Sequence, residues 1–310
     1  RKFQDQMVSD NTAYKYDTDY RRYYQDTAFS KMDITKITEE NVKVFIRTTV
    51  GRLNLCKSAC KTLFGYTNNV FKSAMINHYI SENPMQYLSP KFFYQYCTEK
   101  KKSKDKILVL DKDMVLLCEQ LQEDYKNQPE YIPSYAVELA ILTGMRVGEI
   151  AALTWDSISK DGILINKSEK YNRKTNTYFI DATKNKKERL FPMCNEISNL
   201  LDKVKKAELQ NGYICEWVFA NEDGRVHAPV ISSCIKNKCR QLGIEERGIH
   251  ALRKTFNSKI RNIGVAPTVA ATLLGHSVEV NQKYYTFDVT SNDEKKEIVS
   301  LINENLPLAK

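Results

Sequence analysis

The sequence of 310 residues lacks several features that would assign it to particular classes of protein. No apolar run is long enough to span a membrane and no signal peptide opens the chain, so we expect a cytoplasmic protein. Neither a P-loop nor a glycine-rich phosphate cradle is present, and the acidic residues and four histidines form no cluster with metal-ligand spacing. These absences favour chemistry without a metal or another cofactor.

The eight cysteines show no arrangement typical of zinc sites or of disulfide frameworks. The close pairs are Cys56 with Cys60 and Cys234 with Cys239, and neither forms a C-x-x-C set with neighbouring histidines. We therefore predict free thiols in a reducing compartment.

Positive charge is concentrated in the first third of the chain. Residues 1–106 contain 19 Lys and Arg against 11 Asp and Glu, an excess of +8, whereas the remainder contains 28 against 27. A basic module beside a balanced one is typical of a protein in which one part binds a polyanion and the other carries out chemistry. A contribution to solubility alone would give the same charge distribution, so charge leaves both interpretations open.

The pattern of apolar residues predicts a helical N-terminal domain. Apolar and aromatic residues recur at three- to four-residue spacing in the segments 12–28, 38–49 and 54–80, and a short fourth helix is predicted near 90–97. Thr12 and Thr38 are the predicted N-caps. We expect this domain to cover residues 1–98 and to be followed by a charged linker over 99–106.

The second predicted domain, 107–310, is mostly α-helical with one small antiparallel sheet. Alternating or β-branched segments predict strands at 162–166, 177–183 and 189–193. Helices are predicted at 133–142, 147–153, 194–209, 229–241, 251–263, 266–274 and 292–304. The expected fold class is therefore mainly α with a small antiparallel β-sheet (α+β).

Cutting a DNA strand without a metal requires a nucleophile, fixed cations for the phosphate and a proton donor for the leaving oxygen. Arginine binds phosphate in bidentate fashion and stays charged, and Lys or His can transfer the proton. The chain offers such residues in the motifs Thr143-Gly-Met-Arg146-Val-Gly-Glu149, His250-Ala-Leu-Arg253, Leu274-Gly-His276-Ser and, nine residues later, Tyr285. Taken singly, each motif is more often a surface cation, a helix cap or a core aromatic.

These four motifs, in this order and at these spacings, resemble those of the tyrosine recombinase (phage integrase) family along essentially the whole chain. The resemblance implies that Arg146 and Arg253 bind the scissile phosphate and that Tyr285 forms a 3′-phosphotyrosyl bond. It further implies hydrogen bonding and proton handling by His250 and His276, and Glu149 is expected to support an arginine through a carboxylate pair. No metal or other cofactor is implied.

Two assignments within the resemblance have alternatives. The family uses a lysine in a β-hairpin turn, and Lys184 fits because it follows a threonine, although the segment is about one residue short and leaves Lys186 or Lys187 open. Tyr285 is preferred over Tyr284 as the nucleophile because it keeps the nine-residue offset from His276 and precedes Thr-Phe-Asp-Val.

The resemblance also implies partners. The N-terminal domain resembles a core-DNA-binding domain that closes around double-stranded DNA with the catalytic domain, and the C-terminal helix is expected to dock on a neighbouring protomer in dimers and tetramers formed on DNA. Additional phosphate contacts are predicted for the lysines of the linker and of the hairpin turn, which are Lys100, Lys101, Lys102, Lys104, Lys186 and Lys187.

Three functional alternatives follow from the same residues. A type IB topoisomerase shares nearly the same catalytic groups, and a housekeeping dimer-resolving recombinase is closely related in activity. A noncatalytic DNA-binding protein would have no need for the tyrosine and both arginines. The lysine-rich linker and the absence of an initiator Met favour an integrase of a mobile element with a separate arm-binding domain.

Overall fold

The computed structural model describes residues 8–99, 107–183, 187–290 and 292–304. The chain divides into two compact units. The first comprises residues 1–101 with 172–176, and the second comprises 102–171 with 177–310. The domain bounds predicted from the sequence, 1–98 and 107–310 with a linker between them, stay a prediction.

The described part of the first unit contains three α-helices and three 3₁₀ segments. The helices are α1 (Asp10–Tyr23), α2 (Glu39–Arg52) and α3 (Lys57–Ile76), and the 3₁₀ segments are Phe29–Lys31, Ile34–Lys36 and Pro90–Tyr96. Thr38 caps α2 as predicted, through a capping box in which its hydroxyl accepts from the Asn41 N–H. The prediction for Thr12 is wrong, because α1 begins at Asp10 and Ser9 is its N-cap.

The core of the first unit lies between α2 and α3. Val42, Phe45 and Ile46 recur at helical spacing on α2 and are buried, as are Leu63 and Phe71 on α3. The apolar residues at helical spacing on α2 and α3 are therefore the buried ones, as the sequence predicts.

The second unit contains nine helices among its described residues. They are α4 (Asp111–Asn127), α5 (Pro133–Thr143), α6 (Val147–Ile150), α7 (Asn195–Asn211), α8 (Ala228–Gln241), α9 (Ile249–Asn262), α10 (Pro267–Leu274), α11 (Val278–Tyr285) and α12 (Asn292–Glu304). The central helix is α5, which is buried along most of its length and contacts α4, α7, α8 and α9. The predicted helices are present, and α4 and α11 are additional.

The β-structure of the described residues consists of three two-stranded sheets, which lie in the second unit except for Asn172 at the end of β2. Its strands are β1 (Gly162–Ile165), β2 (Lys167–Asn172), β3 (Thr177–Ala182), β4 (Arg189–Pro192), β5 (Ala220–Asn221) and β6 (Gly224–Arg225). β1 pairs antiparallel with β4, β2 pairs with β3, and β5 pairs antiparallel with β6. The predicted mainly α fold with small antiparallel β-structure is confirmed, although β2, β5 and β6 were not predicted and the strands form separate pairs.

Within the described ranges, no helix combines the length and apolar character that crossing a membrane requires.

Candidate active site

The turn between α5 and α6 places Arg146. Gly144 ends α5 in the left-handed conformation with φ of 61°, and a Cβ there would lie 2.9 Å from the Phe256 ring. Arg146 then occupies the N-cap position of α6 with extended backbone. A glycine is thus required by both conformation and space, which explains the Thr-Gly-x-Arg order.

Glu149 is the carboxylate that holds this arginine. Its side chain is 1% exposed, and it accepts hydrogen bonds from the Arg146 backbone N–H at 3.0 Å and from Arg146 Nη1 at 2.7 Å. Burial alone would raise the pKa of Glu149, but the hydrogen bond and charge of Arg189, with the charges of Arg146 and Arg253, lower it to about 2. Glu149 is therefore ionised, and it fixes the orientation of Arg146.

Arg189 is a third arginine of the site, although it lies outside the four motifs of the sequence. At the first residue of β4, it donates to both Glu149 oxygens, at 3.2 and 2.7 Å, and its Nε donates to the Leu273 carbonyl at 3.0 Å. Glu149 consequently lies between two guanidinium groups. Arg189 therefore connects the start of β4 to Glu149 of α6 and to the end of α10.

Arg253 lies on α9 three residues after His250, so one helix carries both. The Arg253 side chain is buried and donates from Nη1 to the Gly144 carbonyl at 2.7 Å. Its Nη2 donates to the Leu274 carbonyl and to His276 Nε2, the latter at 2.8 Å. Arg253 therefore joins the ends of α5 and α10 at one point.

His276 follows Gly275, which ends α10 with φ of 62°. Since an arginine can only donate, His276 Nε2 must accept from Arg253, so the ring is neutral and its proton is on Nδ1. That Nδ1 and Arg253 Nε are both buried, and neither has a hydrogen-bond partner among the described residues. Unpaired buried donors are costly, so the presence of two of them side by side needs a functional reason.

Tyr285 is the last residue of α11, and its ring lies against the preceding groups. The ring centroid is 4.0 Å from that of His276 and 5.3 Å from that of His250, and Arg253 Cζ is 5.5 Å away. The neighbouring Tyr284 is 53% exposed and contacts Lys283 instead. The structure therefore brings Tyr285 into the cluster and leaves Tyr284 outside it.

Both histidines of the site are held in the neutral form. Desolvation and the charges of Lys254, Arg253 and Arg146 lower the pKa of His250 to about 4. Desolvation and the surrounding arginines lower the pKa of His276 to about 3. Near neutral pH, positive charge in the cluster comes from three guanidinium groups, opposed by the single carboxylate of Glu149.

The structure brings together the predicted residues Arg146, Glu149, His250, Arg253, His276 and Tyr285. Six of the predicted lysines lie outside the described residues: Lys100, Lys101, Lys102, Lys104, Lys184 and Lys186. Lys187 is described and exposed, and its backbone carbonyl accepts a hydrogen bond from the Thr183 hydroxyl at 2.8 Å. In the described part of the chain, no group of three or more His, Cys, Asp or Glu residues is placed to hold a metal ion.

Comparison with known proteins gives concordant results for family and fold. The profile of the phage integrase family matches residues 109–290. A protein named "Tyrosine recombinase XerC-like" from Caldanaerobacter subterraneus subsp. tengcongensis is 24% identical, over 94% of this chain and 78% of the relative.

Two solved structures share the fold. The Tn1549 transposon integrase in complex with transposon right-end DNA has a TM-score of 0.77 at 17% identity, over 96% of this chain and 95% of that one. A lambda integrase dimer bound to a COC′ core site has a TM-score of 0.61 at 16% identity, over 90% of this chain and 72% of that one.

Proposed function

Because the chain belongs to the phage integrase family, we propose that it is a site-specific DNA recombinase of a mobile element, with Tyr285 as its nucleophile. The enzyme cuts and rejoins DNA strands through a 3′-phosphotyrosyl intermediate. Since its substrate is DNA, we expect it to act in the cytoplasm. The relation to a transposon integrase, similar over nearly the full length of both chains, supports the mobile-element assignment.

The position of the Tyr285 ring is the observation that carries this proposal. The ring lies against His276 and beside Arg253, in a cluster with an excess of positive charge. The unpaired donors Arg253 Nε and His276 Nδ1 supply two N–H groups that a phosphate oxygen can accept. A phenol and buried donors for an anion are the minimum for attack on a phosphodiester.

In the cleavage step, the Tyr285 hydroxyl oxygen attacks the scissile phosphorus. A bond forms between phosphorus and the phenolic oxygen, the bond from phosphorus to the 5′-oxygen breaks, and the phenolic proton is lost. Arg146 and Arg253 bind the non-bridging oxygens, where negative charge develops. The phosphorus stays activated as a phosphotyrosine, so a 5′-hydroxyl from another strand can attack it, displace the Tyr285 oxygen and join the two strands without ATP.

Proton transfer falls to the neutral histidines and to a lysine. Neutral His250 can accept the proton of the phenol, whereas His276, whose Nε2 accepts from Arg253, can donate its Nδ1–H to the phosphate. The lowered pKa values of both histidines keep their rings neutral near pH 7 before DNA binds. The departing 5′-oxygen must gain a proton, and we assign this role to Lys184 with Lys186 and Lys187 as alternatives.

Recombination requires the assembly of several copies on DNA, and α12 is the element that we propose to dock on a neighbouring copy. Val299 and Leu301 are 56% and 61% exposed on this helix. Exposed apolar side chains gain stability when another surface covers them. The lambda integrase dimer on its core site is a precedent for assembly on DNA in a protein of the same fold.

Deleting residues 291–310 tests the assembly proposal. We expect the truncated protein to fold and to bind a single half-site, and to lose cooperative binding to a full site in gel-shift titrations. Unfolding of the truncated protein, or unchanged cooperativity, would exclude α12 as the docking element.

The function itself is tested by trapping the covalent intermediate. Purified protein is incubated with nicked DNA carrying candidate attachment sites from the ends of the element, and denaturing gels detect protein joined to the 3′-end. We expect a covalent complex and the joining of two different sites. Relaxation of supercoiled DNA without any joining of two sites would instead favour a type IB topoisomerase.

A further inference from the structure

A buried cluster of polar side chains surrounds the segment that carries Tyr285. Asn257 and Ser258 on α9 and Asn281 on α11 are fully buried, and Thr286 next to the nucleophile is partly buried. We refer to these four residues as the nucleophile clasp. Buried polar groups at this density are stabilising only if all of them are hydrogen-bonded.

The Ser258 hydroxyl connects the two sides of the nucleophile. It donates to the Tyr285 carbonyl at 3.1 Å and accepts from the Phe287 N–H, also at 3.1 Å. The carbonyl of Tyr285 and the amide two residues onward are thereby attached to one side chain of α9. This restrains the backbone from which the Tyr285 ring projects.

The remaining members of the clasp complete a closed set of hydrogen bonds. Asn281 Nδ2 donates to Asn257 Oδ1 at 2.6 Å, and Asn257 Nδ2 donates to Thr286 Oγ1 at 3.2 Å. The Thr286 hydroxyl donates to the Asn281 backbone carbonyl at 3.2 Å. These directional bonds fix the end of α11 in one register on α9, which apolar contacts alone would specify less strictly.

The position of the clasp along α9 relates it to the phosphate-binding groups. Arg253 and Asn257 are four residues apart, so they lie on the same face of this helix, one turn from each other. The single helix α9 therefore carries His250 and Arg253 and, one turn further along, the residues that bind the Tyr285 segment. The nucleophile clasp therefore attaches the Tyr285 segment to the same helix that carries His250 and Arg253.

We propose that Asn257, Ser258, Asn281 and Thr286 are positioning residues that hold Tyr285 in attack geometry, an inference that rests on the proposed function. Their hydrogen bonds run among themselves and to the backbone on both sides of Tyr285, and they act through that backbone. Loss of a clasp hydrogen bond lets the segment leave this position. The rate constant for cleavage at saturating DNA then falls, whereas DNA affinity does not.

Two pairs of variants test the proposal in single-turnover cleavage of prebound nicked half-site DNA. We expect Ser258→Ala and Thr286→Val each to lower the cleavage rate constant about five- to tenfold, as the loss of one hydrogen bond predicts. Thr286→Ser keeps the hydroxyl and is expected to restore cleavage. Ser134→Ala removes another fully buried serine, which is bonded to Asp124 at the end of α5 opposite Gly144, and is expected to cleave like the wild type.

A second readout separates positioning from general destabilisation. The double variant Ser258→Ala/Thr286→Val is expected to lose less than the product of the single effects, because both changes release the same segment. In the protein without DNA, hydrogen exchange of the Phe287 amide is expected to become about five- to tenfold faster in Ser258→Ala.

The possible results distinguish the two proposals. If the wild type cleaves and both single variants match it, or if Ser134→Ala loses as much activity, the clasp proposal is wrong. Weakened DNA binding in parallel with cleavage would also overturn it. If the wild type forms no covalent complex while Phe287 exchange still rises in Ser258→Ala, the proposed function fails and the anchoring of the segment stands.

Discussion

Replacing Glu149 by Gln tests the electrostatic arrangement of the site in isolation from its chemistry. The carboxylate accepts four hydrogen bonds, two from Arg146 and two from Arg189, and is almost completely buried. Glutamine has nearly the same shape but one acceptor oxygen in place of two, and its amide group would face guanidinium donors. The substitution thus leaves two arginines beside each other without the negative charge between them.

Two arguments give the size of the stability loss that we expect from Glu149→Gln. Removing one partner of a buried ion pair costs about 3–5 kcal/mol. Independently, the pKa of Glu149 falls from 4.5 to about 2, and such a shift corresponds to roughly 3 kcal/mol of stability when the group is ionised. For a unit of this size, we expect the midpoint of thermal unfolding to drop by roughly 10 °C at pH 7.

The sign of the pH dependence follows from the lowered pKa. The contribution of Glu149 is present above pH 4.5 and is lost as the pH falls from 4.5 to about 2, because protonation removes the charge that the arginines stabilise. The Glu149→Gln variant should lack this part of the wild-type acid sensitivity. The free energies of unfolding of the wild type and the variant should therefore differ most near neutral pH and become similar in acid.

The two tryptophans of the chain, Trp155 and Trp217, both lie in the second unit, so their fluorescence reports the unfolding of the unit that contains Glu149. The matched control is Glu119→Gln on an exposed position of α4, for which we expect no measurable change. A Glu149→Gln protein that unfolds at the wild-type midpoint, or that shows the same loss of stability in acid, would refute this description of the site.

Three further predictions concern the chemistry and the backbone. In single-turnover assays, Arg146→Lys and Arg253→Lys should each slow cleavage at least about a hundredfold despite the retained charge, because bidentate geometry is lost. Cleavage rates comparable to the wild type would exclude these arginines as the ligands of the phosphate. Gly275→Ala should slow cleavage and lower the unfolding midpoint in the same assays, since φ is 62° and the new Cβ would lie 2.9 Å from Arg189 Nη1; wild-type behaviour would contradict the tight packing there. A chelator should leave the cleavage rate unchanged, because guanidinium groups supply the positive charge at the phosphate; a strict requirement for magnesium in the cutting step would contradict the mechanism.

The local part of the site could be predicted from the sequence. His250 and Arg253 are three residues apart, which places them on one face of a helix, and the structure has them on α9. The Thr-Gly step before Arg146 predicted a helix end and a new helix start, and α5 and α6 meet there. That these segments meet in space was expected from family resemblance, since no local pattern specifies it. The catalytic roles of the residues stay predictions.

Other parts of the site could not be read from local patterns. Arg189 follows Lys186, Lys187 and a glutamate, a run typical of a solvated turn, and its partner Glu149 is 40 residues away. In β2 the residue with the buried position is the acidic Glu169, so the strand lacks the apolar alternation by which strands are predicted.

The two additional helices were missed for different reasons. α11 has eight residues, of which Asn281 is buried, so its inward face is polar and gives no hydrophobic signal. In α4, by contrast, the buried Leu117 and Leu121 are four residues apart, a helical period that could have predicted it.

The most direct test of the central claim compares Tyr285→Phe with Tyr284→Phe on the same nicked attachment-site DNA. Each change removes one hydroxyl and keeps the ring, so packing and DNA binding should be preserved in both. The measurement is the fraction of protein that migrates as a covalent complex on a denaturing gel. We predict that Tyr285→Phe forms none and that Tyr284→Phe forms as much as the wild type. A covalent complex with Tyr285→Phe, or its loss in Tyr284→Phe, would contradict the assignment of the nucleophile.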